Sequence, residues 1–559
     1  MQACSRHLLI EITRVPRYNY NVERGDHMAL VYVKNKQNGI TYVYESTNYW
    51  DKAKQQSRSK RVCVGKLDDD GKLITSKRLT VPQVAFPIKP GPIPATQLKH
   101  SFYGATYLFD SMGEVLGITA DLKTCFPLQY RQILSIAYFL ILEDRNPLSR
   151  FPKWDRTHMH PFGKNISSQR SSELFSSITE EGKEHFFRLQ GKKRSENEYW
   201  AYDTTSISSY SESLKQVKYG HNKDHDPLPQ INLALLFGEE SNLPFYYRKL
   251  AGNISDVKTV KNLLADMEFL GFGKVKLVMD RGFYSEENIN ALYQNHLKFL
   301  ISAKVSLKFI RMELDKVRNT LRTRANYNSV YQIYSHTAMI SWNYSQERPY
   351  KGDTIVDKKR MYLHIYFNGE KALVHEKNFN AMLDMLEEEL VCVSRKPEHE
   401  RQYTKYFNIS TTPVRGTKVT VKQEAVDAAE RDYGFFALIS NEIKDSIKAL
   451  ETYRNKDLVE KAFGNLKERL NMRRTGVSSD SALEGKLFAQ FIALIYLSYI
   501  KKQMSEQGLY KSYTMQELLD DLDVIESFEQ PGSALRVGEV TKKQEGLYKS
   551  LGVKPPTSL

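Results

Sequence analysis

Across residues 196–304 the hydrophobic period switches between strand and helix. Residues 198–203 (Glu198-Tyr199-Trp200-Ala201-Tyr202-Asp203) and 274–280 (Lys274-Val275-Lys276-Leu277-Val278-Met279-Asp280) are strand-like runs, and each ends in an aspartate. Residues 230–237 and 245–250 also read as strands, being short, apolar and rich in aromatic or branched side chains. Residues 256–270 repeat apolar positions at helical spacing, as do 286–295 behind Ser285, a helix cap. Strands that carry acids, followed by helices, predict an α/β unit.

The pattern elsewhere is more varied. Residues 28–95 predict a small β-rich domain: Leu30-Val31-Tyr32-Val33, an Asn38-Gly39 turn, then Ile40-Thr41-Tyr42-Val43-Tyr44. Before it, 1–27 read as a flexible leader, with Met28 as the functional start. Behind it lies a Pro-rich linker (Pro82, Pro87, Pro90, Pro92, Pro94). Residues 96–195 read as mostly helical, with helices at 173–178 and 180–189 and Thr179 as an N-cap; this domain suits DNA recognition or assembly. The stretch between Asp280 and Glu460 is far longer than one strand-helix step, so an inserted domain is expected over 305–432. Its clearest pieces are a strand at 362–367, an Asn368-Gly369 turn and a helix near 379–390. The core resumes at 433–504 with a buried strand, 433–439. The tail, 505–559, carries capping boxes at Thr514/Glu517 and Thr541/Gln544 and an acidic stretch at 520–523, which suits a dimer contact.

Composition narrows the function classes. The chain has 559 residues, 41% hydrophobic, enough for several domains with true cores. Its 81 basic against 66 acidic residues, a formal charge of +15, favour a polyanionic partner. Basic clusters stand at Lys52, Lys54, Arg58, Lys60 and Arg61, and again at Arg469, Arg473 and Arg474. Four scattered cysteines (Cys4, Cys63, Cys125, Cys392) support neither a disulfide framework nor a zinc ribbon. The apolar runs at 133–142 and 487–500 fall short of the roughly 20 residues a bilayer span needs, and the second predicts a buried helix.

The densest chemistry lies in a predicted helix over 453–470. Tyr453, Lys456, Glu460 and Lys467 fall, at about 100° per residue, in a fan roughly 60° wide. A carboxylate flanked by Lys and Tyr suits a metal ligand beside phosphate-gripping groups. Such a stripe is also what a solvated amphipathic helix with ordinary Glu/Lys pairs presents. Asp203, Asp280 and Glu460 together suit a pair of Mg²⁺ ions about 4 Å apart. Asp224, Asp226 and Asp256 are competing acids, better suited to turns and caps.

The spacing Tyr453, Lys456, Glu460, Lys467 resembles the YREK signature of bacterial insertion-sequence transposases of the DDE type, with Lys456 where the family has Arg. Arg454 points about 100° away from the stripe and is no substitute. Tyr202-Asp203-Thr204-Thr205 resembles the family's first-aspartate motif and Met279-Asp280-Arg281-Gly282-Phe283-Tyr284-Ser285 its second. Tyr219-Gly220-His221-Asn222-Lys223-Asp224-His225 and Gly252-Asn253-Ile254-Ser255-Asp256 are also family-like. The resemblance implies an RNase H-like catalytic core interrupted by a β-rich insertion, within an α/β multidomain chain that has N-terminal β-rich and helical domains. It implies Asp203, Asp280 and Glu460 as catalytic metal ligands for two Mg²⁺ ions, which Mn²⁺ can replace. Tyr453, Lys456 and Lys467 would hold the phosphates next to the cut. The basic cluster Arg469, Arg473 and Arg474 suits DNA contact or a solubilising surface, and Trp342 suits either a ring that receives an unstacked base or a packed core ring. The implied partners are double-stranded DNA (inverted-repeat ends and target) and a second copy of the chain in a homodimer, with no membrane, in a bacterial cytoplasm near the nucleoid. Two rival readings are a structure-selective nuclease on the same core and a non-catalytic DNA-binding repressor derived from a transposase.

Overall fold

The computed structural model describes residues 28–35, 38–51, 56–68, 71–75, 98–193, 198–273, 275–347, 352–392, 394–412, 416–530 and 533–557. The expected leader, the Pro-rich linker, and Lys52 and Lys54 lie outside the described residues. The chain divides into two compact units, Met1–Pro94 and Ala95–Leu559.

In the first unit, β1 (Met28–Lys34), β2 (Thr41–Asp51), β3 (Gln56–Leu67) and β4 (Leu73–Thr75) form an antiparallel meander. The turn before β2 is wider than the two-residue loop expected. Lys34 pairs with Thr41, the Asn35 N–H donates to the Ile40 carbonyl at 2.9 Å, and Gly39 takes φ +71° inside the loop.

The second unit opens with β5 (Lys99–Phe102) and six helices: α1 (Gly104–Val115), α2 (Ile118–Cys125), α3 (Tyr130–Leu142), α4 (Phe151–Trp154), α5 (Ser168–Ser177) and α6 (Glu180–Lys192). Thr179 caps α6 by accepting the Gly182 N–H at 3.2 Å. The α/β region follows as β6 (Tyr199–Ser208), β7 (Gln230–Gly238), β8 (Pro244–Ala251), α7 (Asp256–Leu270), β9 (Lys276–Met279), α8 (Glu286–Gln294) and β10 (Lys298–Ala303). Next come α9 (Lys308–Leu321), β11 (Tyr327–Asn328), β12 (Ile333–Glu347), β13 (Thr354–Phe367), α10 (Gly369–Val391), α11 (Glu400–Tyr406), β14 (Phe407–Thr412), β15 (Gly416–Val421) and α12 (Gln423–Glu430). The chain closes with β16 (Phe435–Ser440), α13 (Ser446–Asn455), α14 (Asp457–Gly464), α15 (Asp480–Glu506), α16 (Met515–Asp523), β17 (Glu526–Glu529), β18 (Arg536–Val537) and α17 (Lys542–Ser550).

One nine-stranded sheet organises this unit, in the order β11-β12-β13-β16-β10-β9-β6-β7-β8. β6, β9 and β10 run parallel, whereas β7, β8 and β16 pair antiparallel with their neighbours. Every residue of β7 is buried, and β6 is buried except at Asp203, so both faces of the middle of the sheet are covered. The stretch 305–432 is two things. The β12–β13 hairpin joins the main sheet through β13–β16, while α10, α11, α12 and the β14–β15 pair gather a separate core around Phe379, Leu386 and Tyr403. Asn368 starts α10, where a turn was expected, because its side chain accepts the Lys371 N–H at 2.8 Å as an N-cap.

By length and hydropathy α15 could cross a bilayer, but 83% of its most apolar window is buried inside the protein. It packs against α3 and α5 as a core helix. Residues 505–559 do not form a free tail. β17 pairs with β5, and the Tyr548 hydroxyl donates to the Gly104 carbonyl at 2.8 Å.

Candidate active site

Strand register brings the first two acids together. β6 and β9 are parallel, with Tyr202 opposite Met279, and Asp203 and Asp280 are the next residue on each chain. Their side chains therefore leave neighbouring strands, spaced about 4.8 Å, at the same level. Burial raises the Asp203 carboxyl above its usual range. Lys223, Lys456 and the Thr204 N–H draw it down, and Asp280 adds to the rise. Asp280 faces solvent more openly, and the Tyr453 hydroxyl donates to it.

Glu460 arrives on a broken helix. Residues 453–470 were expected as one helix, but α13 stops at Asn455, Lys456 forms a tight turn, and α14 carries Glu460. The Lys456 N–H donates to the Tyr453 carbonyl and the Val459 N–H to the Lys456 carbonyl, both to the third residue back. Past Gly464 a π turn, Asn465–Arg469, widens the helix again. Tightening and then widening move the side chains off the ideal stripe. Lys456, only 3% exposed, gains most from the arrangement: its Nζ donates to Glu460 Oε1 at 2.8 Å and lies 3.8 Å from Asp280 Oδ2. Burial alone would depress that ammonium. The Glu460 hydrogen bond and the charges of Asp280, Asp203 and Glu460 outweigh burial and hold it above its ordinary value. Lys456 thus joins Glu460 to Asp280, and its charge is also felt by Asp203.

A second ring closes the site from β6 and α7. Lys223 Nζ donates to the Thr204 carbonyl at 2.7 Å and lies 3.6 Å from Asp203 and 3.2 Å from Asp256. The Thr204 hydroxyl donates to Asp256, whose side chain therefore serves the site and not a cap, contrary to expectation. Two glycines position this ring. A Cβ on Gly220 would stand 2.0 Å from the Gly252 carbonyl oxygen, and one on Gly252 would stand 2.0 Å from the Gln230 carbonyl oxygen. Only glycine lets these backbones approach, which brings Lys223 and Asp256 beside Asp203. Lys223 and Thr204 were missed as site residues from sequence, although both sat in the family-like stretches.

The other candidates separate. Lys467 donates to both oxygens of Asp224, at 2.8 and 2.6 Å. Arg474 pairs with Asp226 at 2.7 Å and lies over Tyr210, and Arg473 pairs with Glu468 on the surface. Arg469 is not offered to DNA. It turns into the protein, donates to Gln516 at 2.6 Å, and is depressed by burial. Trp342 is likewise not offered to a base. It is 8% exposed, packs edge-on against Phe309, and its Nε1–H donates to Asn290 at 2.8 Å. Arg454 stacks over Tyr331, away from the acids, as its helical position required.

Among the described residues, no three His, Cys, Asp or Glu side chains close into a metal cage. The donors at the site are carboxylates, the chemistry that hard divalent cations take, and the positive charges beside them are the Lys456 and Lys223 ammonium groups. The residues fit such an ion in donor type.

Two comparisons bear on this site. A family model described as a transposase DDE domain matches residues 195–496, which include Asp203, Asp280 and Glu460. A cryo-EM structure of the piggyBac transposase synaptic complex with hairpin DNA is similar at 9% identity and a TM-score of 0.32, over 69% of this chain and 68% of that one; the likeness is too distant to build on. No curated protein matches the sequence.

Proposed function

The chain belongs to the transposases that carry a DDE domain, and from that premise we propose that it cuts and joins DNA at the terminal inverted repeats of its own insertion sequence. The observation that carries this reading is the parallel β6–β9 register, which sets Asp203 and Asp280 side by side. We read the order β8-β7-β6-β9-β10 as an RNase H-like core, with the stretch after β10 as its insertion.

Asp203, Asp280 and Glu460 would hold two Mg²⁺ ions, which supply a deprotonated nucleophile and neutralise the phosphate under attack. The chain's own groups position everything else. The Tyr453 hydroxyl orients Asp280, Lys223 holds Asp203 from the opposite side, and Lys456 places positive charge where a scissile phosphate would enter. Lysine supplies this charge as a point, without the two-pronged geometry of arginine. Two copies would bridge two element ends, in a bacterial cytoplasm near the nucleoid.

The test is to supply the full chain with Mg²⁺ and DNA bearing the inverted repeats that flank its coding region. Cleavage at the repeats followed by joining to a second DNA is expected. Asp203→Asn, Asp280→Asn or Glu460→Gln should each abolish cleavage and leave end binding intact. Cutting without preference for repeats and without joining would make the protein a nuclease. Binding without cutting by the unaltered chain would make it a repressor.

A further inference from the structure

Between α14, α15 and the turn that follows β7 lies a cavity of about 330 Å³. Phe237, Leu458 and Ala462 give it apolar walls, and Lys461, Lys501 and Lys502 bring three ammonium groups to it. No carboxylate lines it. Among the described residues Lys461 pairs with no acid, and Lys501 donates only to the Asn465 side-chain oxygen, at 2.6 Å. Lys502 rests on the carbonyls of Glu240 and Ser241, both at 3.2 Å, with Glu506 at 3.9 Å. Burial, then the charges of Arg469 and Lys461, push the Lys501 ammonium down to about 8. A second cavity of the same volume shows the contrast. There Lys183 and Lys249 meet Glu484 at 2.7 and 2.8 Å, and Arg248 meets Asp266, so each cation is paired.

Ammonium groups held together in a half-buried pocket with only Glu506 near one of them repel one another, and an anion with several acceptor oxygens relieves that repulsion. Lys461 follows Glu460 in α14, so the pocket lies about 100° round the helix from the acids. A strand held at the acids reaches it by curving round α14. We propose that this cavity is a phosphate site that takes a backbone phosphate of the bound DNA, outside the catalytic centre. The assignment to DNA rests on the transposase reading. The anion site itself rests only on the cavity and its lysines.

The experiment uses the full chain and a duplex oligonucleotide of arbitrary sequence, because backbone contacts are sequence-independent. The triple variant Lys461→Gln/Lys501→Gln/Lys502→Gln should lower the slope of log affinity against log salt by about 0.9, one phosphate contact. Lys542→Gln/Lys549→Gln/Lys554→Gln, an equal charge change at exposed positions near the C-terminus, should leave the slope unchanged. Inorganic phosphate should raise the melting temperature of the DNA-free protein and not that of the triple variant. If the triple variant fails to fold, Lys501→Met alone is read in the same two assays. Phosphate protection with an unchanged salt slope would assign the pocket to free phosphate and overturn the DNA assignment. No protection and no slope change would overturn the site altogether. If the unaltered chain does not bind duplex DNA, the DNA reading fails, while the phosphate assay still decides whether the pocket binds anions.

Discussion

The Lys456 ammonium donates to Glu460 one helical turn along α14 and lies 3.8 Å from Asp280 at the end of β9, so one buried cation ties a helix to the end of a central strand. It stands in for the positive charge that these acids need in order to sit close together, since like charges at this range repel.

Lys456→Met should therefore lower stability in the presence of a chelator. Both carboxylates are more than a third exposed, and solvent screening discounts the pair. The expected loss is about 1 kcal/mol by denaturant titration. Mg²⁺ should restore more stability to this variant than to the unaltered chain, because the ion replaces the missing charge. Lys456→Arg should keep stability and retain or improve strand transfer, since the guanidinium fork adds a second phosphate contact. A large loss of strand transfer in Lys456→Arg would show that Lys456 has another task.

The glycine contact behind Lys223 and Asp256 yields a separate prediction. Gly252→Ala drives a methyl group into the Gln230 carbonyl, a backbone atom that cannot swing aside. Overpacking of this kind costs about 1–3 kcal/mol. The shift should also carry Asp256 and Lys223 away from Asp203, so cleavage should fall further than the melting temperature alone accounts for. Unaltered melting and cleavage in the Gly252→Ala variant would mean that the backbone relaxes freely there.

The acids of this candidate site stood out in the sequence for physical reasons. An apolar strand-like run interrupted by an acid marks that acid, so Asp203 and Asp280 stood out without tertiary information, although β6 continues past Asp203 to Ser208 and only Asp280 follows a strand end. Glu460 was visible because helical spacing grouped it with Tyr453, Lys456 and Lys467. The tight turn at Lys456 was not legible, since Lys456 itself keeps helical φ and ψ, −55° and −26°, and the hydrogen-bond register changes around it. The placement of Arg469 and Trp342 was not legible for another reason. Whether an Arg or Trp faces solvent or a neighbouring element depends on partners distant in sequence, Gln516 for one and Asn290 with Phe309 for the other. The hairpin of β12 and β13 extends the core sheet through pairing with β16, a contact that no local pattern encodes.

His364 gives a pH prediction outside the site. Its Nε2–H donates to the Ile443 carbonyl at 3.1 Å, and the Thr337 hydroxyl donates to Nδ1 at 2.9 Å, so the ring is held neutral. Burial lowers its pKa from 6.5 to about 4, with the Ile443 bond and then Asp445 opposing. Between those values the unfolded chain binds the proton and the folded chain does not, so stability falls as pH drops through the window. The share due to this residue approaches about 3 kcal/mol by the bottom of the window, at about 1.36 kcal/mol per unit. His364→Gln should remove that share, seen as a shallower fall in denaturation midpoint between pH 6.5 and 4.

Trp342 separates a core ring from a base wedge. The indole N–H satisfies Asn290, and its ring fills space beside Phe309. Trp342→Phe deletes the donor and leaves a void, so it should cost about 1–3 kcal/mol. A ring that received an extruded base would leave a different signature: Phe keeps an aromatic face, so stability would hold while affinity for DNA with an unstacked end nucleotide fell. Measuring both on one variant decides between them. Loss of stability with binding unchanged, scaled to the folded fraction, is the expected result. Intact stability with weakened binding would return Trp342 to the DNA, which would require the β12–β13 hairpin to open away from α9 when DNA is bound.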